Sequence, residues 1–451
     1  MRSSARRFAL LVLLSTCGPL LAADFQAGVA RVKITPPSPF WMSGYAARTH
    51  PSEGVEQELW AKALALQDAG GKPVVLVTTD LIGLPRAISD EVAQRVLGRF
   101  RVERSRLVLS ASHTHCGPAV RRNLAVLYDF GEEDRRRVEA YGAALADQLV
   151  EVVGAALGNL APARLSFGSG SVGFAANRRE PTPEGVRIGV NPAGPVDHDV
   201  PVLKVAGEDG SLRAVLFGYA CHNTTLGADF HRLGGDYAGY AQAELEEKHP
   251  GATALFMMLC GGDQNPSPRG TLDLARQHGH ALAAEVDRLL AAPGRPVRPR
   301  IRAALEVASL DFAPHSRVTF EQEAASPDTF RQRRARLMLA AYDEGRPVRS
   351  TPYPVQAIRF GRELTLVALA GETVVDYALR VKRAFAGESL IVAGYCHDVM
   401  CYIPSRRVLR EGGYEAVENT IYYGQPGPFA ETVEDRVMAA VHEVAKRVGL
   451  R

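Results

Sequence analysis

The sequence predicts an α/β fold in which a mixed β-sheet is covered by helices. Short apolar runs alternate along the chain with longer stretches of amphipathic, helical spacing. Two of the runs, 74–77 and 254–259, are continuously apolar, as expected for strands that are covered on both faces. The predicted strands are 74–79, 107–110, 214–220, 254–259, 364–370 and 390–393, and the predicted helices are 89–97, 135–157, 237–248, 272–291, 329–342 and 373–385.

The composition indicates a soluble globular protein rather than a nucleic-acid-binding one. Of 451 residues, 46% are hydrophobic and 23% are charged, and the net charge of +3 is too small to favour a nucleic-acid partner. The arginine clusters at 121–122, 135–137 and 331–336 are predicted to be solvated helix faces, with transient contact with a membrane surface or an anionic partner as the alternative.

The domain organisation is predicted to be simple. The chain shows no internal repeat and no long linker. Proline and arginine gather at 292–300, which is either a domain boundary or a surface crossover within one continuous domain. We expect residues 24–451 to form a single catalytic domain.

The N-terminus has the features of an export signal. An arginine-rich start precedes the apolar run 8–14, and Ala22 and Ala23 supply a small-residue cleavage region. We therefore expect residues 1–23 to be a signal peptide. No later stretch reaches the roughly 18 uninterrupted apolar residues of a membrane span, so the mature protein is expected in the periplasm or outside the cell.

The cysteines do not predict a disulfide scaffold. Removal of the signal peptide would leave an odd number of cysteines and no CxxC pair. Free cysteines usually pack as small buried residues. A thiol ligand or nucleophile is the alternative, with Cys116 as its best candidate. The five cysteines of the mature chain are Cys116, Cys221, Cys260, Cys396 and Cys401.

A predicted strand, 107–110, ends in a turn that carries two histidines. His113 and His115 have i, i+2 spacing, which sends both side chains to one side of an extended chain. Metal ligation is one interpretation of this pattern. A pair of ordinary surface or core histidines is the other, and this motif alone does not decide between them.

Two further predicted strands end in polar turns of the same kind. Strand 214–220 leads to His222, and strand 254–259 leads to a glycine-rich turn that contains Asp263 and Asn265. Ligands of open α/β sheets bind at the carboxyl ends of the strands, so we expect these turns to converge. Backbone N–H groups of the glycine-rich turn would suit an anion or an oxyanion, although by itself it is only a tight turn.

An ordered series of motifs resembles the N-terminal catalytic region of the neutral, non-lysosomal ceramidase family, over about residues 28–447. The resemblance implies a layered helix–sheet–sheet–helix domain with mixed sheets. The motifs are GVARVKITP (28–36), GYA (44–46), SHTHCGP (112–118), NR (177–178), ACH (220–222), GDYAGY (235–240), GGD (261–263), AGET (370–373), YIP (402–404) and YE (414–415).

The resemblance also implies one zinc ion per chain, bound by His113, His222, Glu372 and Tyr402. Imidazole nitrogen and carboxylate oxygen are common zinc ligands, whereas a tyrosine is less common. Tyr402 would alternatively stabilise an oxyanion. A zinc-dependent amidohydrolase that acts on linear amides is thus predicted, with attack by a metal-bound water.

The same comparison implies roles for residues around the metal. His115 would act as general base and then protonate the leaving group, and Arg178 would bind a substrate carbonyl or carboxylate. Asp263 or Asp236 would orient an imidazole, although Asp236 is also a plausible cap for the helix that starts at Tyr237.

The sequence leaves open the structural setting of Glu372 and whether other histidines bind the metal. Glu372 is expected at the start of helix 373–385, where a carboxylate also favours the helix dipole. His397 and His198 are reserve metal ligands, and His198 lies between two aspartates.

The sequence departs from the family pattern at the proposed nucleophile. Asn265 stands where the ceramidases have a serine to which a catalytic role is assigned, and an amide cannot be that nucleophile. Direct attack by water is therefore expected, with Asn265 donating a hydrogen bond to the substrate or oxyanion. We also expect no counterpart of the β-sandwich domain of full-length ceramidases, because the sequence ends soon after the last motif.

These departures leave the substrate open. We expect a small-molecule or lipid-like amide, such as an N-acyl amide or a ceramide-like compound, and no nucleic acid. An ester or lactone is the alternative substrate. The rival classes are a cysteine-nucleophile hydrolase and a non-catalytic metal-binding or ligand-binding module.

Overall fold

The computed structural model describes residues 25–451, so the predicted signal peptide lies outside the described residues. The strands are β1 (Phe25–Lys33), β2 (Gly54–Val55), β3 (Trp60–Gln67), β4 (Val74–Thr79), β5 (Leu107–Ala111), β6 (Ala161–Ser171), β7 (Ala175–Thr182), β8 (Gly185–Asn191), β9 (Asp199–Gly207), β10 (Leu212–Tyr219), β11 (Arg232–Leu233), β12 (Thr253–Met258), β13 (Gln264–Pro266), β14 (Arg295–Pro296), β15 (Ile301–Asp311), β16 (Ser350–Phe360), β17 (Leu364–Leu369), β18 (Glu372–Thr373), β19 (Leu390–Ala393) and β20 (Tyr402–Ile403).

The helices lie mainly between these strands. They are α1 (Arg86–Phe100), α2 (Glu132–Gly158), α3 (Asp236–Lys248), α4 (Leu272–Ala291), α5 (Arg317–Ala324), α6 (Thr329–Asp343), α7 (Val375–Ala384), α8 (Arg406–Glu411), α9 (Asn419–Tyr422) and α10 (Val433–Val448). Within residues 25–451, only α2 is long and apolar enough to cross a membrane. Half of its most apolar window is buried, and its apolar face packs on β1 and β3.

Two mixed sheets form the centre of the molecule. The larger has the order β12-β10-β9-β6-β1-β3-β4-β5, with β14 added beside β6. The smaller has the order β15-β16-β17-β19. In both sheets most neighbours are antiparallel, but β4 and β5, β10 and β12, and β17 and β19 are parallel pairs.

The two sheets pack face to face, and helices cover their outer faces. Leu216 of β10 and Leu366 of β17 belong to one buried apolar cluster between the sheets. On the outer face of the larger sheet, α1 and α2 cover one half and α3 and α4 cover the other. Helices α7 and α10 cover the smaller sheet. The predicted α/β class and its layered helix–sheet–sheet–helix arrangement are confirmed.

The segment 292–300 is where the chain passes from the larger to the smaller sheet. β14 lies within it and pairs with β6, and β15 of the smaller sheet follows at Ile301. Val297 and Ile301 are both buried in the cluster between the sheets. Val297 is the one buried residue of segment 292–300, and the other residues of the segment are exposed or partly exposed.

Each of the predicted strands overlaps an observed one, namely β4, β5, β10, β12, β17 and β19. The predicted helices overlap α1, α2, α3, α4, α6 and α7. The patterns do not predict β15, which is rich in residues that favour helices. Its pairing with β16 along all of its 11 residues overrides this local propensity.

Candidate metal centre

The carboxyl ends of the parallel strand pairs meet on one side of the molecule. Thr114, after β5, forms a bridge with Asn223, after β10, although these strands lie near opposite ends of the larger sheet. Ser110 of β5 forms a bridge with Cys396, which follows β19 of the smaller sheet. The turns that carry the predicted site residues are thereby brought together.

His113 is fixed by the backbone of a neighbouring loop. It lies just beyond the fully buried β5, and its φ of 61° is in the left-handed region that non-glycine residues seldom adopt. Its Nδ1 lies 2.6 Å from the carbonyl oxygen of Ile82, which can only accept a hydrogen bond. Nδ1 therefore carries the proton, and the lone pair of His113 is on Nε2.

His222 is fixed in the same way. Its Nδ1 lies 2.8 Å from the carbonyl oxygen of Gly261 and 3.2 Å from that of Gln264, so its lone pair is also on Nε2. Burial, assisted by the Arg178 charge, lowers the pKa of His222 to about 4. The ring is consequently neutral at physiological pH.

Glu372 and Tyr402 are brought together by pairing of two very short strands. They are register partners in the parallel pair of β18 and β20. Glu372 Oε2 lies 2.9 Å from His113 Nε2 and 3.1 Å from His222 Nε2, and Tyr402 Oη lies 3.1 Å from His222 Nε2. The four residues implied as zinc ligands thus form one buried cluster.

The expectation that Glu372 starts a helix is wrong. Glu372 belongs to β18, and α7 begins only at Val375. The turn at Gly371, which has a φ of 71°, directs the chain into the β18–β20 pairing before the helix can form. Glu372 is therefore positioned by a contact that is distant in sequence.

The donor atoms of this cluster suit a divalent cation. The Nε2 atoms of two imidazoles and a carboxylate oxygen face one another, and all three can bind a cation placed between them. Burial raises the pKa of Glu372, but contact with His113 and His222 outweighs burial and holds this pKa well below its usual range. The carboxylate is therefore ionised. Neutral imidazole nitrogen with carboxylate and phenol oxygen is a donor set typical of zinc and related transition metals.

The remaining oxygen of Glu372 is held by tyrosines. Tyr423 Oη donates to Glu372 Oε1 at 2.5 Å, and Tyr395 Oη lies 3.5 Å from Oε2. Such outer hydrogen bonds orient a metal-binding carboxylate. Burial raises the pKa of Tyr402 well above its usual range, so without a cation this phenol is a neutral hydrogen-bond donor.

His115 lies beside the cluster and lines the same cavity. Its Nε2 is 3.2 Å from His113 Nε2, and its Nδ1 is buried without a hydrogen-bond partner among the described residues. Arg48 donates to the carbonyl oxygen of His115 at 2.7 Å and fixes its backbone. Burial lowers the pKa of His115 well below its usual range, so this imidazole is neutral.

Arg178 is held against the cluster by a buried ion pair. Its Nε donates to Glu415 Oε1 at 2.7 Å, and its Nη2 donates to Tyr402 Oη at 2.9 Å. Nη1 lies 3.2 Å from His222 Nε2 and 3.3 Å from Asn265 Oδ1. Glu415 was not assigned a role from the sequence, and its place in the YE motif was its only signal.

Asn265 lies in β13 and presents its amide to the cavity. Its Oδ1 accepts hydrogen bonds from Arg178 and from Thr224 Oγ1, the latter at 3.3 Å. Among residues 25–451 its Nδ2 has no hydrogen-bond acceptor, and the side chain lines the cavity. The amide hydrogens are thus available to a bound molecule.

The two aspartates do not contact an imidazole among the described residues. Asp263 Oδ1 accepts from the backbone N–H of Val375 at 2.7 Å, and Asp236 Oδ2 accepts from that of Leu226 at 2.9 Å. Backbone carbonyl groups orient the histidines instead. Asp236 is the first residue of α3 and also accepts from the N–H of Tyr237, but Gly235 occupies the N-cap position and no side chain caps the helix, so the capping interpretation is wrong.

Asp263 acts on the site through the backbone. Its carbonyl oxygen accepts from the N–H of Arg178 at 2.8 Å, and its carboxylate accepts from Asn177 Nδ2 at 3.2 Å. It does not line the cavity. We therefore assign Asp263 a positioning role instead of the predicted contact with the reacting atoms.

The reserve ligands lie outside the cluster. His198 Nε2 lies 2.8 Å from the carbonyl oxygen of Ala175. His397 is buried, neither ring nitrogen has a hydrogen-bond partner in the described part of the chain, and burial lowers its pKa well below its usual range. Neither residue lines the cavity.

The five cysteines described by the structure are free and buried. Burial raises the pKa of Cys116 to about 12, so its thiol is protonated at neutral pH and is a weak nucleophile. Cys116 does not line the cavity, which favours the interpretation of the cysteines as core residues.

The cluster opens into a cavity of about 280 Å³. Polar groups of the centre form one part of its wall, and aromatic and aliphatic side chains form the rest, as is typical of sites for small organic ligands. The lining residues are Gly44, Tyr45, Ala46, Ile82, His113, His115, Leu124, Leu127, Arg178, Ile188, Thr224, Asn265, Arg269, Glu372, Tyr402, Tyr414, Tyr422 and Tyr423.

Fold and site together define an α/β protein with a buried candidate metal centre at the carboxyl ends of its strands. The family model of the neutral/alkaline non-lysosomal ceramidases, N-terminal region, matches residues 25–271. This is more than half of the chain, which therefore belongs to that family. The resemblance carried by the motifs is confirmed.

Curated relatives are similar over part of their length. Neutral ceramidase from Pseudomonas aeruginosa is 26% identical over 277 residues, which are 57% of this chain and 39% of the relative. Neutral ceramidase from Mycobacterium tuberculosis is 25% identical over 252 residues, which are 51% of this chain and 38% of the relative. The chain thus spans about two-fifths of the length of these relatives.

Solved structures share the fold across nearly the whole chain. The crystal structure of neutral ceramidase from Pseudomonas aeruginosa has a TM-score of 0.73 and 19% identity, and covers 95% of this chain and 75% of that one. A ceramidase complexed with C2 also has a TM-score of 0.73, with 17% identity and coverage of 95% and 76%. These likenesses establish the fold.

Proposed function

We propose that the protein is a zinc-dependent hydrolase that cleaves a linear amide bond. The observation that carries this proposal is the convergence of His113 Nε2, His222 Nε2 and Glu372 Oε2 on one buried point beside an open cavity. Membership of the ceramidase family supports the same chemistry.

His113, His222, Glu372 and Tyr402 would hold the zinc ion. When bound, zinc supplies a Lewis acid for the substrate carbonyl and lowers the pKa of water. The carbonyl contacts of the two histidines would keep their Nε2 lone pairs directed at the ion, as outer hydrogen bonds do in zinc sites.

His115 is assigned as the general base and acid. Its Nε2 faces the cluster, and the ring is neutral, so it can accept a proton. In the proposed reaction His115 takes a proton from the attacking water and donates it to the leaving nitrogen as the C–N bond breaks. The products are a carboxylic acid and an amine.

Arg178 and Asn265 are proposed to donate hydrogen bonds to the carbonyl oxygen of the substrate. Arg178 is fixed by Glu415, and the Asn265 amide has free hydrogens toward the cavity. Donors that are held before the reaction stabilise the developing negative charge without reorganisation. With an amide at position 265, attack by water replaces attack by a side-chain hydroxyl.

The proposed substrate is a small or lipid-like N-acyl amide, and ceramide is one member of this class. The relatives' names support ceramide, and the mixed apolar and polar lining of the cavity suits an acyl group joined to a polar amine. An ester or lactone is the second candidate, because the same groups would stabilise its transition state. An export signal in residues 1–23 would bring the mature enzyme to the periplasm or outside the cell, where transient contact with a membrane would deliver a lipid.

Metal analysis of the purified protein with a panel of acyl amides and acyl esters tests the proposal. We expect one zinc per chain and hydrolysis of at least one amide, and we expect His113→Ala to lose both. His280→Ala is the control, because His280 is exposed and contacts Glu244. An active enzyme without metal contradicts the zinc mechanism, whereas zinc binding without any turnover identifies a non-catalytic binding module.

A further inference from the structure

Arg269 lies at the edge of the candidate site. It follows the β13 turn, precedes α4 and is exposed. Its side chain lines the cavity of the metal centre together with Asn265, and both residues also line an adjoining pocket. A group bound by Arg269 would therefore lie near the residue assigned to the substrate carbonyl.

The charges that line the cavity are not balanced. Glu372 faces the candidate cation, and Arg178 is paired with Glu415 at 2.7 Å. Arg269 has only a long hydrogen bond of 3.4 Å to Tyr45 Oη. Within residues 25–451, no carboxylate forms a salt bridge with Arg269, so its positive charge is left for a ligand.

Guanidinium chemistry indicates what this ligand is. The planar fork of an arginine matches a carboxylate with two parallel hydrogen bonds, and such charge-assisted bonds are about twice as strong as neutral ones. A bound divalent cation would offset the charge of Glu372 and leave the cavity positive. An anionic substrate group is therefore favoured over a neutral or cationic one.

We propose that Arg269 binds a carboxylate next to the scissile bond, and that the substrates of this site are N-acyl amino acids. The inference rests on the proposed amide hydrolysis. Water would add its oxygen to the acyl carbon as the C–N bond breaks, and the proton would pass to the nitrogen. The products would be a carboxylic acid and a free amino acid.

The test compares N-hexanoylglycine with its neutral isostere N-hexanoylglycinamide, using the zinc-loaded protein. Dissociation constants come from titration calorimetry, and kcat/KM comes from initial rates of amine release. We expect the wild type to prefer the carboxylate about threefold to fivefold, since water weakens an ion pair at an exposed arginine. The preference should shrink at high salt, because Arg269 is exposed.

Substitutions test whether the Arg269 side chain causes the preference for the carboxylate probe. Arg269→Gln should bring the ratio between the two probes close to one, and Arg269→Lys should keep part of it. Arg336→Gln, at an exposed position of α6, is the matched control and should keep the wild-type ratio.

The outcomes separate this inference from the proposed function. Equal binding of both probes by the wild type, or a ratio that Arg269→Gln leaves unchanged, overturns the role of Arg269. Charge-selective binding without cleavage of N-hexanoylglycine overturns N-acyl amino acids as the substrates, whereas failure to cleave any amide of the wider panel contradicts the hydrolase.

Discussion

At the scale of single residues, the site depends on backbone groups that hold imidazoles. Ile82, Gly261 and Gln264 supply the carbonyl oxygens that fix the tautomers of His113 and His222. The sequence predicts the two histidines, but it predicts aspartates as their partners. The sequence does not identify the backbone partners of these histidines, because every residue has a carbonyl group. Only the fold determines which carbonyl groups face an imidazole ring.

Gly44 controls the position of His115. A Cβ at Gly44 would lie 2.4 Å from His115 Nδ1, and the φ of Gly44 is 102°. Gly44→Ala is expected to displace His115 and to lower kcat by about 10²-fold, within the range of general acid–base catalysis, while one zinc per chain is retained. Initial rates and metal analysis of the same sample measure both effects.

Gly71→Ala is the matched control for that prediction. Gly71 also has a positive φ, of 72°, but nothing lies within 4 Å of the place its Cβ would take. Both variants should lose stability through backbone strain, and Gly44→Ala should lose more because its Cβ would also lie 2.8 Å from Ile82 Cδ1. An equal loss of activity in the two variants would mean that strain, not His115, is responsible.

At the scale of elements, short pairings between distant segments build the site. β18 and β20 have two residues each, yet they place Glu372 beside Tyr402. Periodicity cannot detect strands of this length, which explains why Glu372 was assigned to a helix. The long predicted elements, such as α4 and β4, are found because each buries a regular apolar pattern of its own.

Asp263 links the β13 turn to the start of α7 and gives the stability a pH dependence. Burial, with the nearby Asp376 charge, raises the pKa of Asp263 from 3.8 to about 6. The folded state therefore holds this proton more tightly than the unfolded state. The stabilisation is complete below pH 3.8 and is lost as the pH rises through about 6.

Asp263→Asn removes this titration. The difference between pKa values of 3.8 and about 6 corresponds to about 3 kcal/mol. As the pH rises from 3.5 to 6.5, the free energy of unfolding of the wild type should fall by about 3 kcal/mol relative to that of Asp263→Asn. Urea unfolding of both proteins across this range measures it, and parallel pH profiles would refute the assignment.

At the scale of the whole molecule, the candidate ligands join the two sheets. His113 and His222 follow strands of the larger sheet, whereas Glu372 follows a strand of the smaller one. Local patterns predict helices over a mixed sheet, but the stacking of two sheets was expected only from the family resemblance. Packing between distant strands leaves no local signal that would distinguish one sheet from two.

Removal of the metal should consequently loosen the whole domain. A ligand that binds only the folded state stabilises it by about 2.7 kcal/mol at 100 times its Kd. We expect chelation to lower the Tm of the wild type and added zinc to restore it, as measured by calorimetry. Glu372→Gln should show a much smaller response, and a wild-type Tm that chelation leaves unchanged would argue against a joining metal.

Anomalous diffraction from crystals of the purified protein tests whether one zinc ion lies where the turns that follow the strands of the two sheets meet. Data collected on both sides of the zinc absorption edge should show one peak among His113 Nε2, His222 Nε2, Glu372 and Tyr402. Clear density for these side chains with no zinc peak among them, in crystals grown with zinc, would contradict the proposed zinc site.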